Sequence, residues 1–235
     1  MENGHLWYNI FMERKESFAE EEFYHLYNRG NDKRDIFLND QDRDRFIHLL
    51  YLCNSSKAVV LKEISENNFF SCDRGESLVD IGAYCLMPNH FHLLVRAKDN
   101  YGVSLFMKKL QTAYSMYFNK KNERTGKLFE GVFRSKYVDN DRYLEYLYSY
   151  IHLNPIKKIE PKWKEEGIRN INRAKKFLND FKYSSYIDYF LKERARPESA
   201  VIKTESFPEY FSAPKEFEEF IEEWLFYKAD NLEDS

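Results

Sequence analysis

The sequence predicts an α+β fold: a ferredoxin- or RRM-like antiparallel sheet with helices on one face, followed by a C-terminal helical extension. Three observations carry this prediction. Segments that alternate apolar and polar residues, as half-buried strands do, are interleaved with segments whose apolar residues recur at helical spacing. Their order (strand, helix, three strands, helix, strand, helix) suits an α+β layer arrangement. Met87-Pro88-Asn89 separates two strand-like runs by a length that suits a tight hairpin turn.

Taken in order, Glu22-Phe23-Tyr24-His25-Leu26-Tyr27-Asn28 alternates as a first strand and stops at Arg29-Gly30-Asn31-Asp32. Asn39-Asp40-Gln41-Asp42 has helix-start chemistry, and Phe46, Ile47, Leu49, Leu50 and Leu52 give the following helix an apolar stripe. Ala58-Val59-Val60-Leu61 reads as a second strand and the polar stretch 65–77 as a loop. Residues 79–86 and 91–96 form the hairpin, so the histidines at its turn open a central strand. Residues 101–121 carry Val103, Leu105, Phe106, Leu110, Ala113, Tyr114 and Tyr117 at helical spacing. Residues 132–138 alternate apolar with basic or polar side chains, a half-exposed strand with a cationic outer face. Asp139-Asn140-Asp141 caps a tyrosine-rich helix whose buried stripe is Leu144, Leu147 and Ile151. Charged helical material follows over 161–182, and a last helix spans 214–227. This divides the chain into a tail (1–20), one domain (21–190) and an acidic extension with one helix (191–235).

The 235 residues are enough to bury one core. The net charge of −3 conceals a polarity along the chain. Residues 108–182 hold 18 Lys and Arg against 9 Asp and Glu, whereas 198–235 hold 3 against 11. Three cysteines without Cys-x-x-Cys spacing support neither a disulfide framework nor a zinc knuckle. No stretch approaches the roughly 18 apolar residues of a membrane span, and no basic-then-apolar leader opens the chain. The expectation is a soluble cytoplasmic protein with no membrane partner.

Two motifs carry chemistry. On a strand His90 and His92 share a face while Phe91, Leu93 and Val95 point to the other, and two imidazoles on one face are half of a metal site. Alone, such a pair is more often two ordinary polar residues; His5, His25 and His48 lack even that pairing, and His25 and His48 read as packing or surface residues. In the tyrosine-rich helix, Tyr143, Tyr146, Tyr148 and Tyr150 have Leu147, Tyr150, His152 and Asn154 one turn on. Only Tyr148 with His152 and Tyr150 with Asn154 therefore join a phenol to a possible metal ligand. Pro155 disfavours a helical Asn154 and predicts that the helix ends there, loosening the second pair.

In this order, Tyr24-His25-Leu26-Tyr27-Asn28-Arg29-Gly30, the segment 87–95, Gly126-Lys127-Leu128-Phe129-Glu130, Tyr150-Ile151-His152-Leu153-Asn154-Pro155 and Tyr183-Ser184-Ser185-Tyr186 resemble the single-tyrosine HUH transposases, REP-associated tyrosine transposases in particular. The resemblance spans residues 23–190 and implies the HUH endonuclease fold. It implies Tyr150 as nucleophile, Mg²⁺ or Mn²⁺ held by His90, His92 and Asn154, and a 5′-phosphotyrosine intermediate in single-stranded hairpin DNA from repeat elements. Two neutral imidazoles and an amide are a weak set for a hard cation, so substrate phosphate is expected to complete the site.

The basic middle supplies the expected DNA contacts: Lys108, Lys109, Lys120, Lys121, Lys127, Arg134 and Lys136 on phosphates, and Arg29 on the target strand. Singly, these are ordinary solvated cations. The acidic helix near the C-terminus is expected to dock on the domain, and the opposed charges suggest that it covers the DNA surface. Insertion-sequence relatives are often homodimers that exchange the tyrosine helix, while REP-associated ones can be monomers; the sequence leaves both open. The resemblance also implies a bacterial, nucleoid-associated setting. Two other function classes stand beside it: a domesticated DNA-binding protein that does not cut, and a water-activating metal hydrolase, for which the histidines form no obvious ligand set.

Overall fold

The computed structural model describes residues 17–58, 64, 69–190, 196–211 and 213–226. Its centre is a four-stranded sheet of β1 (Phe23–Arg29), β2 (Val79–Met87), β3 (His90–Ala97) and β4 (Arg134–Tyr137) in the order β2-β3-β1-β4, with every neighbouring pair antiparallel. The α+β class and the antiparallel hairpin are as the sequence predicts. Of the expected second strand, Ala58 is irregular and residues 59–61 lie outside the described residues.

Helices α1 (Asp40–Cys53) and α2 (Gly102–Lys121) pack together on one face of the sheet. Asn39 caps α1 through Oδ1, which accepts from the Asp42 backbone N–H at 3.1 Å. Between these helices and the sheet, Phe46 meets Phe91 at a centroid distance of 5.0 Å and Tyr114 at 4.9 Å. The Tyr114 hydroxyl, fully buried, donates to the Ile36 carbonyl.

The opposite face is not open. Helix α3 (Asp141–Leu153), capped by Asn140, lies across β2 and β3 on the side to which His90 and His92 point. The reason is its stripe: Leu144, Leu147 and Ile151 are each at most 2% exposed and require an apolar surface, which this sheet face provides.

Short helices α4 (Trp163–Glu166), α5 (Ile171–Asp180) and α6 (Tyr186–Phe190) follow, then α7 (Pro214–Phe226). Phe217, Ile221 and Leu225 of α7 join Leu153, Ile156, Leu178 and Tyr186 in a second core. Val201, Ile202 and Phe207 belong to the main core, and Arg196 ties this segment down through Asp188, Tyr84 and the Ser184 carbonyl. The described part of 191–235 is thus packed into the domain. Gly82 shows how closely: it sits at the bulge of β2, and a Cβ there would stand 2.7 Å from the Phe207 ring. Among the described residues no helix is long and apolar enough to cross a membrane.

Candidate active site

Strand register puts a set of polar side chains on the α3 face. Opposite residues of antiparallel strands share a face, and β1 pairs Tyr27 with His92 and Arg29 with His90, while β4 pairs Lys136 with His25 and Arg134 with Tyr27. His25, His90, His92, Arg134 and Lys136 therefore lie on one side of the sheet.

From above, α3 lowers Tyr150 onto this surface. Its ring stands edge-on to His92 at 5.3 Å and to His25 at 5.9 Å. One turn on, α3 ends at Leu153 as Pro155 predicts, yet Asn154 keeps right-handed helical angles (φ −53°, ψ −38°). The chain continues from α3 directly into a 3-10 helix, Asn154–Lys158, with Pro155 in its first turn. Tyr150 and Asn154 thus remain neighbours on one helical surface.

Among the described residues no group of three His, Cys, Asp or Glu side chains is arranged to hold a metal. The donors present are two imidazoles and an amide. His90 Nδ1 is hydrogen-bonded to Asn89 Oδ1 at 2.6 Å, and His92 Nδ1 to His25 Nε2 at 2.9 Å, so each histidine keeps Nε2 as its remaining nitrogen. Asn154 lies close enough to His90 to favour its charged form, yet neither Asn154 Oδ1 nor Nδ2, both buried, has a hydrogen-bond partner. A buried amide without partners costs about 1–3 kcal/mol per group and calls for a ligand. This set fits a weakly held divalent cation.

The electrostatics suit neutral ligands. Burial, reinforced by Lys157, pulls the His90 pKa down to about 4, and burial with Lys136 pulls His25 to about 3. His92 is held well below the ordinary value by burial, then by the neighbouring histidines, Lys157 and Lys164. A cation therefore competes with no proton on these rings near neutrality.

Tyr148 and His152 are placed elsewhere. Tyr148 is 1% exposed among Tyr189, Phe207, Tyr210 and Phe211, and His152 Nε2 is hydrogen-bonded to Ser185 Oγ at 2.8 Å. Neither reaches the histidine surface.

The cations predicted to bind DNA divide by layer. Arg134 and Lys136 share the histidine face. Arg29 ends β1 opposite His90, with its guanidinium engaged by both carboxylate oxygens of Glu130. Lys127 is exposed in the loop held to this end of β1 by the Asn31 N–H to Leu128 carbonyl bond of 2.8 Å. Lys108, Lys109, Lys120 and Lys121 ride on α2, beyond the sheet from the histidines. Two of them have structural partners: Lys109 bonds the Ser55 carbonyl at 2.6 Å, and Lys121 pairs with buried Asp42 at 2.6 Å.

Three residues of the site escape sequence reasoning. His25 has its partner 67 positions away. Lys157 acts on both His90 and His92, and Lys164 Nζ stands 4.3 Å from the Tyr150 ring centroid. The one available signal for the lysines was their position just beyond Asn154 in the chain.

A family model described as "Transposase IS200 like" matches residues 22–154, a span that runs from β1 to Asn154 and holds His90, His92 and Tyr150. No curated protein matches the sequence. Among solved structures, a REP-associated tyrosine transposase bound to a REP hairpin is similar over 76% of this chain and 84% of that one, with 12% identity and a TM-score of 0.44.

Proposed function

The chain belongs to the IS200-like transposase family, and on that premise we propose that it cleaves and rejoins single-stranded, hairpin-containing DNA through a tyrosine–DNA intermediate. The observation that carries this reading is the convergence of Tyr150, edge-on to His92, with the unpartnered Asn154 amide one turn away beside His90.

Tyr150 Oη attacks the scissile phosphorus, forming a 5′-phosphotyrosine as the bond to the 3′-oxygen breaks and that oxygen leaves as a hydroxyl. The phenolic proton leaves to solvent and solvent returns one to the departing 3′-oxygen, so the step is proton-neutral overall. A 3′-hydroxyl later attacks the adduct and returns Tyr150 to its phenol, so rejoining needs no nucleotide cofactor. His90, His92 and Asn154 would hold Mg²⁺ or Mn²⁺, which supplies Lewis-acid neutralisation of charge on the non-bridging phosphate oxygens. Lys157 and Lys164 put positive charge beside the same centre, where a phosphate would sit. Arg134 and Lys136 extend this charge along the sheet face as a track for the DNA backbone.

The test is incubation with labelled hairpin oligonucleotides and Mn²⁺ followed by denaturing electrophoresis. A labelled protein adduct that Tyr150→Phe abolishes is the expected result. Tight binding without an adduct on any repeat flanking the gene would instead favour a DNA-binding protein that does not cut.

A further inference from the structure

The ladder of β1 and β3 already joins the two strands that carry His25 and His92, so pairing them does not require the buried contact between these side chains. Its geometry is specific: His25 Nε2 to His92 Nδ1 at 2.9 Å, the rings stacked at a centroid distance of 5.0 Å, and both residues at most 7% exposed. A neutral imidazole carries one ring proton. If His92 is to offer Nε2 to a cation, that proton belongs on Nδ1 and needs an acceptor, and His25 Nε2 is the atom at hydrogen-bond distance.

We propose that His25 is a positioning residue, which accepts the Nδ1 proton of His92 and so fixes the ring tautomer and orientation that present Nε2 to the metal. The inference rests on the metal reading above. His90 is served in the same way by a different group, its Nδ1 facing Asn89 Oδ1 at 2.6 Å. Both ligands thus have an outer partner, an arrangement whose removal typically costs metal sites 10–100-fold in affinity. His25 touches no substrate in this role and acts only through His92.

The experiment compares the full chain with His25→Leu and His25→Gln, since glutamine restores an acceptor and leucine fills the space without one. Mn²⁺ alone is titrated while the free ion is followed by electron paramagnetic resonance. In parallel, imidazole ¹⁵N shifts of the metal-free protein report the His92 tautomer. His25→Leu is expected to bind Mn²⁺ about 10–100-fold more weakly, with His25→Gln recovering most of the loss, and wild-type His92 is expected to be protonated on Nδ1. Wild-type affinity in His25→Leu would overturn the proposal, as would equal losses in two folded variants, since then the acceptor is not what matters. If His25→Leu fails to fold, the wild-type tautomer decides, and a proton on His92 Nε2 overturns it. A wild-type chain that binds no Mn²⁺ would instead overturn the metal reading, and this inference with it.

Discussion

Tyr148 and Tyr150 stand two residues apart on α3 and end in opposite surroundings. Tyr150 meets the histidines of the sheet, whereas Tyr148 is sealed in an aromatic cluster with its pKa raised well above the ordinary value by burial. Tyr150→Phe is therefore expected to abolish the DNA adduct while shifting stability by less than about 1 kcal/mol, since the ring is kept. Tyr148→Phe should retain the adduct. Tyr148→Ala should cost about 3–5 kcal/mol in urea unfolding, as expected for an emptied core site. An adduct that survives in Tyr150→Phe but not in Tyr148→Phe would reverse the assignment.

Asn154→Ala separates function from stability. The side chain is fully buried and its amide has no partner at full hydrogen-bond geometry, so its removal forfeits packing and only the weak approach to His90. Mn²⁺-dependent cleavage should fall at least about 10-fold, while the unfolding free energy changes by no more than about 1 kcal/mol, because lost packing and the relieved amide offset each other. A large loss of stability with unchanged cleavage would show the amide to be structural.

Local periodicity made half of this site legible. The two-residue spacing of His90 and His92 and the four-residue spacing of Tyr150 and Asn154 each place a pair on one surface without knowledge of the rest. What periodicity does not encode is which face of the sheet a helix takes, so the lysines of α2 looked equivalent to Arg134 and Lys136 although they lie on the other side of the sheet. The packing of α3 over the histidines was hidden for the same reason. Asn154 ran against a local rule, and tertiary packing of Ile151 and Ile156 on both sides of it prevailed over the pre-proline preference.

Gly30 is where three motifs meet. Its N–H donates to the Asn89 carbonyl at 2.8 Å, and it bridges to Phe129 between the Arg29 and Asn31 contacts to the 128–130 loop. A Cβ here would stand 2.2 Å from the Arg34 carbonyl oxygen. Gly30→Ala should therefore displace the chain and cost about 1–3 kcal/mol by overpacking, lowering cleavage by disturbing the turn that carries Asn89 and His90. An unchanged melting temperature would show that the loop yields freely.

Truncation before Pro214 tests whether α7 is a cover or a wall. Glu218 and Glu222 pair with Lys175 of α5, and the apolar stripe of α7 seals Leu153 and Ile156, the residues that flank Asn154 and Pro155. Loss of Phe217, Ile221 and Leu225 should destabilise the chain by several kcal/mol, at about 2–5 kcal/mol for each large buried residue. A folded truncated chain with higher DNA affinity would favour the detachable acidic cover expected from the charge pattern.

The thiols give a pH prediction independent of the site. Cys53 and Cys85 are buried, and burial raises both pKa values, that of Cys53 to about 11 in spite of Lys109. Cys72 is raised too, by burial, but stays partly accessible. At pH 8 a disulfide reagent should react rapidly with one thiol per native chain and with all three in urea. For stability the sign is negative. A thiol that ionises near 9 when unfolded and near 11 when folded leaves the native state unaffected below pH 9. Above it the unfolded chain loses the proton first, and stability falls by about 1.4 kcal/mol per pH unit per thiol until the folded Cys53 itself ionises. Urea midpoints at pH 8 and pH 10 measure this, and Cys53→Ala should reduce the difference while the share of Cys85 remains. An unchanged difference, or fast reaction of Cys53 at pH 8, would mean that the end of α1 opens readily.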